Sequence, residues 1–341
     1  MNVLGGIILG NFFQPPIEAA SHHRLKTAVL DDYQGVAQAY GDWSRLNNYI
    51  DLTIYSEHIE DEAELVNVLQ PYSIIVIMRE RTPFPASLLR QLPNLKLLVT
   101  TGMRNASIAL DAAKELGIIV SGTAGAGAGT AELTWTLILG LSRQLVLENN
   151  HLRHNGKWQS TIGQDLYGKK LGLFGLGKIG AQVARVGQAF GMEVSAWSQN
   201  LTPERATHHN VSYVSKEQLL AESDIISIHL VLSERTRNLI DTQELALLKT
   251  TAYLINTSRA PIVNQQALIE ALSGGRIAGA GLDVFDVEPL PQGHPYRTLP
   301  NVLATPHIGY VTEAAYRVFF QEIVEDIEAY FGGKPVRVLN G

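Results

Sequence analysis

Leu171-Gly172-Leu173-Phe174-Gly175-Leu176-Gly177-Lys178-Ile179-Gly180 constrains the fold of this chain more than any other stretch. An apolar run leads straight into Gly-x-Gly-x-x-Gly, and apolar residues then recur at Ile179, Val183, Val186 and Phe190 with the spacing of a helix. Strand, glycine turn and helix in that order form the opening of a dinucleotide-binding βαβ unit. Gly175 permits the tight bend and Gly177 lets the backbone approach a pyrophosphate. Gly180 lets helix and strand pack closely, and the helix start at Lys178 and Ile179 attracts the anion. A second apolar run, at 193–197, follows at the distance such a unit needs. In a chain with 30 glycines the pattern alone would be weak, and its flanks make it specific.

The 341 residues, 45% of them apolar, exceed one typical domain and predict two. A formal charge of −6 with no Lys/Arg block argues against nucleic-acid or anionic-membrane partners and leaves a small-molecule substrate. The absence of cysteine excludes disulfides, thiolate nucleophiles and Cys-ligated zinc, and suits a cytoplasmic setting. His22-His23 and His208-His209 lie in polar surroundings without converging partners, so no metal site is expected. Residues 1–24 lack the basic start of a signal peptide and are too short an apolar run to span a bilayer, so they read as an appended extension.

From Lys26 onward β-rich runs at 27–30, 52–55, 74–78, 95–100 and 118–120 alternate with helical stretches, which predicts a parallel α/β domain. The Gly/Ala run 122–129 is a candidate hinge, and one long helix is expected over 130–149. After the glycine turn, strands at 225–230, 251–257, 277–284 and 302–304, each preceded by a helical segment, complete a six-stranded doubly wound sheet. A last helix over 313–331 is expected to lead the short tail back to the first domain.

Arg259, Glu288 and His307 each fall just past one of these later strands, the edge at which open α/β sheets bind ligands. An imidazole held by a carboxylate can give a proton to a ketone oxygen or take one from a hydroxyl. His307 with Glu288 supplies that pair, the carboxylate orienting the ring and favouring its protonated form. The Arg259 guanidinium can grip a substrate carboxylate and polarise the adjacent carbonyl.

With these motifs in order, namely Gly-Leu-Gly-Lys-Ile-Gly at 175–180, Ile-Asn-Thr-Ser-Arg at 255–259, Asp-Val-Phe-Asp-Val-Glu-Pro at 283–289 and Thr-Pro-His-Ile-Gly at 305–309, the chain resembles the D-isomer-specific 2-hydroxyacid dehydrogenases. The resemblance runs from about Lys26 to the C-terminus. It implies an α/β chain of two doubly wound parallel-sheet domains, a Rossmann cofactor domain (124–310) inserted in a discontinuous flavodoxin-like substrate domain (25–123 and 311–341). It implies a homodimer built through the cofactor domain, and Arg259, Glu288 and His307 as a catalytic triad. Hydride would pass between nicotinamide C4 and C2 of a small D-2-hydroxy acid or 2-oxo acid, in the glyoxylate and hydroxypyruvate range. Cofactor-contacting positions carried over are Gly175, Gly177, Lys178, Ile179, Gly180, Ser198, His229, Thr257 and Asp283, the last facing the nicotinamide. Thr101, Gly102 and Met103, together with Arg259, would bind the substrate carboxylate. A non-catalytic NADH-sensing protein of the corepressor type shares the architecture and is the alternative.

The chain departs from the family's pattern at the ribose. Ser198, followed by Gln199 and Asn200, stands where an acid commonly holds the adenosine ribose of NAD. NAD is expected, with NADP open because no carboxylate would repel a 2′-phosphate and Arg205 lies a few residues on. Arg104 stands where a small residue is usual and is expected to face water.

Overall fold

The computed structural model describes residues 24–125 and 127–341. The expected N-terminal extension, apart from Arg24, and Ala126 within the Gly/Ala run lie outside the described residues. The chain divides into two compact units. One takes in the N-terminal segment up to the Gly/Ala run together with Tyr316–Gly341, and the other is Gly127–Ala315.

The first unit contains five parallel strands, β1 (Leu25–Val29), β2 (Ile50–Ile54), β3 (Ile74–Ile77), β4 (Leu97–Thr100) and β5 (Ile119–Gly122), in the order β2-β1-β3-β4-β5. Every residue of β3 and β4 is buried. That is why Ile-Ile-Val-Ile and Leu-Leu-Val-Thr read as unbroken apolar runs rather than alternating ones: both faces of a parallel sheet are covered. The helix Glu313–Phe331 buries Phe319, Phe320, Ile323, Val324 and Ile327, and the tail beyond it pairs with β5 through Gly122 N–H to the Arg337 carbonyl at 3.0 Å.

The second unit holds seven parallel strands, β6 (Lys170–Phe174), β7 (Glu193–Trp197), β8 (Ser212–Tyr213), β9 (Ile225–Ile228), β10 (Tyr253–Asn256), β11 (Gly279–Leu282) and β12 (Val302–Ala304), in the order β12-β11-β10-β9-β6-β7-β8. Six had been expected. The additional strand is β8, two exposed residues at the sheet edge, too short to show any periodicity. Nor is every late strand preceded by an α-helix: a 3₁₀ turn, Pro295–Arg297, is the helical element between β11 and β12.

Two further expectations are corrected. The helix foreseen over 130–149 is two helices, Gly129–Ser142 and Leu145–Arg153, broken where Gln144 adopts a left-handed φ of 50°. On the helix that follows the glycine turn, Val183 is buried, whereas Ile179, Val186 and Phe190 are 37–40% exposed, so the apolar face extends beyond what the sheet covers.

Candidate active site

The strand order fixes where the site lies. β6, β7, β9, β10, β11 and β12 are parallel, so the residues that follow them emerge at one carboxyl edge: Gly175, Ser198, His229, Thr257 with Arg259, Asp283 and His307.

The glycine turn is built mostly from what is missing. Gly175 has φ 100°, and a Cβ there would sit 2.7 Å from the His229 carbonyl oxygen. A Cβ on Gly180 would come within 2.2 Å of the Gly175 carbonyl oxygen. Both glycines are demanded by the protein's own packing. Gly177 is different: its φ is −88° and a Cβ would meet nothing within 4 Å, so the space beside it is left for a ligand. The helix Lys178–Ala189 starts there with no side-chain cap and no acid in its first turn. Its unsatisfied N–H groups and positive dipole end fit a pyrophosphate.

Ser198 lies one residue beyond β7, next to Gly175, whose N–H donates to the Trp197 carbonyl at 2.9 Å. Arg205 folds back and donates to the Asn200 carbonyl at 3.2 Å. His229 is partly buried, and its Nε2 pairs with the Ser227 hydroxyl at 2.9 Å. Desolvation pushes its imidazole down to about 4, so the ring is neutral near pH 7. The Thr257 hydroxyl pairs with that of Thr134 at 2.8 Å.

Asp283 is buried and both its oxygens are used. Oδ1 accepts from the Thr305 hydroxyl at 2.7 Å and the Ile308 N–H at 2.8 Å, and Oδ2 accepts from the Gly309 N–H at 2.8 Å. Burial raises its pKa against the pull of these donors. The carboxylate therefore anchors the loop that carries His307, a role the linear sequence did not reveal. His307 itself adopts φ 52°, uncommon for a residue with a side chain. Its Nδ1 lies 2.6 Å from Glu288 Oε2, while Glu288 Oε1 accepts the Phe285 N–H at 2.9 Å, so the carboxylate is fixed before it orients the ring. Tyr310 packs edge-on at 5.5 Å between centroids. With Nδ1 committed, Nε2 is the nitrogen placed to exchange a proton.

Arg259 follows β10 and its Nη1 donates to the Ser258 carbonyl at 2.8 Å. Asn256, to which the sequence motif at 255–259 assigns no role, is buried. Its presence in a strand of otherwise apolar residues was the available signal.

In the first unit, Thr101, Gly102 and Met103 follow β4. The Thr101 N–H donates to the Ile77 carbonyl at 3.2 Å and the Gly102 N–H to the Thr123 hydroxyl at 2.9 Å. Two of the three amides expected to meet a carboxylate are thus engaged internally, and the exposed Met103 is the remaining one. Arg104 is exposed. Among the described residues no cluster of His, Cys, Asp or Glu could hold a metal ion, and no helix is long and apolar enough to cross a membrane.

Against this geometry, a family model described as "D-isomer specific 2-hydroxyacid dehydrogenase, NAD binding domain" matches residues 135–309. A glyoxylate reductase of Aeropyrum pernix is 36% identical over 308 residues, 86% of this chain and 91% of that protein. A hydroxypyruvate reductase of Thermotoga maritima is 38% identical over 288 residues, 83% and 92% of the two chains. The crystal structure of a phosphoglycerate oxidoreductase from Vibrio cholerae O395 is similar with a TM-score of 0.86 and 35% identity, covering 91% of this chain and 99% of that one.

Proposed function

Because the chain belongs to the D-isomer-specific 2-hydroxyacid dehydrogenase family, we propose that it interconverts small 2-oxo acids and D-2-hydroxy acids, in the glyoxylate and hydroxypyruvate range, with a nicotinamide dinucleotide. The observation that carries this reading is the 2.6 Å contact between His307 and Glu288, in the same unit as the glycine turn.

In reduction, His307 gives the proton on Nε2 to the substrate carbonyl oxygen while Glu288 holds Nδ1 and offsets the ring's positive charge. Arg259 pairs with the substrate carboxylate and polarises the neighbouring carbonyl. In oxidation His307, now neutral, takes the proton from the hydroxyl. A bound nicotinamide supplies the hydride in one direction and accepts it in the other. Residues 124–310 serve as the dinucleotide-binding domain, and residues 25–123 with 311–341 as the substrate domain. In the latter, Thr101, Gly102 and Met103 contribute to carboxylate binding, chiefly through the Met103 amide.

NAD is the proposed cofactor, with NADP the alternative because Ser198 replaces the carboxylate that would repel a 2′-phosphate. The enzyme is proposed to be a cytoplasmic homodimer. Exposed apolar side chains over 145–162, among them Leu145, Leu152, Trp158 at 79% and Ile162 at 97%, support self-association. The test is a panel of glyoxylate, hydroxypyruvate and larger 2-oxo acids with NADH and NADPH, followed at the nicotinamide absorbance. Turnover supports the reading. Tight NADH binding without turnover on any of them overturns it in favour of a dinucleotide sensor.

A further inference from the structure

We propose that Asn256 is a positioning residue for the reaction: its buried amide fixes the turn that carries Arg259, so that the guanidinium meets the substrate in one orientation. The inference rests on the reading of Arg259 as a substrate contact.

Asn256 is the last residue of β10 and is 2% exposed. Its Oδ1 accepts the Ser258 N–H at 3.0 Å and its Nδ2 donates to the Arg259 carbonyl at 3.0 Å. The two arms of one amide therefore span the turn and end on Arg259 itself. Ser258 adds a third tie, its hydroxyl donating to the Leu230 carbonyl just beyond β9, the strand paired with β10. Arg259 Nη1 is held by the Ser258 carbonyl at 2.8 Å, and that peptide lies between the Ser258 N–H and the Arg259 carbonyl, the two groups that Asn256 holds.

A bland account is available, since any buried amide must find partners. The partners found argue against it. The ladder of β10 to β9 and β11 is made by backbone groups, and neither arm of the Asn256 side chain contributes to it. Both arms are spent instead on the turn that carries Arg259. Arginine is long and rich in rotamers, and a turn free to shift would leave its planar fork misaligned with a carboxylate.

The test measures Asn256→Ala, Arg259→Ala, the double variant and Asn256→Asp with glyoxylate or hydroxypyruvate. NADH affinity is read separately by fluorescence. Asn256→Ala should lower kcat/KM by roughly tenfold to a hundredfold, mostly through KM, with NADH affinity kept. Adding Asn256→Ala to Arg259→Ala should cost little more, because the residue acts through Arg259. Asn256→Asp keeps the acceptor for Ser258 but sets an oxygen against the Arg259 carbonyl, and should raise KM similarly. A wild-type KM in both Asn256 variants overturns the proposal, as do losses that multiply in the double variant. If both Asn256 variants lose NADH binding, the residue braces the whole domain, and the proposal fails in that case too. Full activity of Arg259→Ala would instead sink the reading of Arg259, and that failure is visible without any change at Asn256.

Discussion

His229 and His307 stand at the same carboxyl edge of one parallel sheet in opposite electrostatic surroundings. The His229 ring bonds to the neutral hydroxyl of Ser227, and desolvation pushes it down to about 4. The His307 side chain is 20% exposed, and its Nδ1 sits 2.6 Å from the Glu288 carboxylate, which can accompany a change of charge. Residue type and strand-end position are shared, and the neighbouring carboxylate separates them. A histidine that must gain and lose a proton during turnover needs that partner, whereas one that lines a cofactor site is better kept neutral.

The comparison breaks most sharply at the two rings. His307→Gln should lower kcat for 2-oxo acid reduction by about 10² to 10⁴, the usual contribution of a general acid, with NADH affinity retained. His229→Gln should change kcat by less than about tenfold, since a ring held neutral lacks the imidazolium proton that a general acid gives near pH 7. Steady-state kinetics and NADH titration on both variants decide it. Equal losses would place the two histidines in the same role.

How far this contrast could be read beforehand depended on what each feature is made of. The glycine turn was legible because its content is the absence of side chains at fixed spacing, and the positions of Gly175, Gly177 and Gly180 survive unchanged in the fold. The strands were legible to within a few residues, because parallel strands buried on both faces are apolar runs. The break at Gln144 was not, for the polar run Ser142-Arg143-Gln144 holds no glycine or proline to mark a left-handed residue. Glu288 and His307 are 19 residues apart in sequence, and their pairing was inferred from their places past two strand ends and from acid–base chemistry rather than from any local pattern. The duty of Asp283, with both oxygens tied to the loop 305–309, exists only once β11 and β12 lie side by side.

The second way to sharpen the contrast is acid stability. His229 has a folded pKa below its unfolded value of 6.5, so the folded state binds fewer protons there. The stability this neutral ring allows is present above pH 6.5 and is lost as pH falls toward about 4. A shift of that size corresponds to at most roughly 3 kcal/mol, less whatever solvent relieves. Thermal melts of wild type and His229→Gln between pH 4 and 8 should therefore diverge on the acid side, the variant losing less. Parallel curves would mean that His229 is not desolvated.

Third, the turn beside His229 can be disturbed in two ways. Gly175→Ala forces a side chain into φ 100° and against the His229 carbonyl, so it should lower both Tm and NADH affinity. Gly177→Ala meets nothing in the protein and should leave Tm unchanged, while weakening NADH by about tenfold if a pyrophosphate occupies that space. Calorimetry with NADH titration separates the two. An unaffected NADH affinity in Gly177→Ala would move the cofactor away from the turn.

The smallest effect expected is at the ribose end of the cofactor side. Ser198 follows β7 directly and the segment through Leu201 carries no carboxylate, so Ser198→Asp should favour NADH by accepting hydrogen bonds from the ribose hydroxyls. The same charge should repel a 2′-phosphate, which carries nearly two negative charges. At an effective dielectric of about 20, two unit charges 4 Å apart interact by roughly 4 kcal/mol, and solvent screening reduces that at a strand end. A quarter of it would still move the NADH-to-NADPH ratio of kcat/KM by about fivefold. The His307 side should not respond, because proton transfer there does not depend on which ribose is bound. A ratio unchanged from wild type would show that Ser198 does not face the ribose. A fall in kcat with both cofactors alike would show instead that the cofactor and proton sides of this edge are not separable.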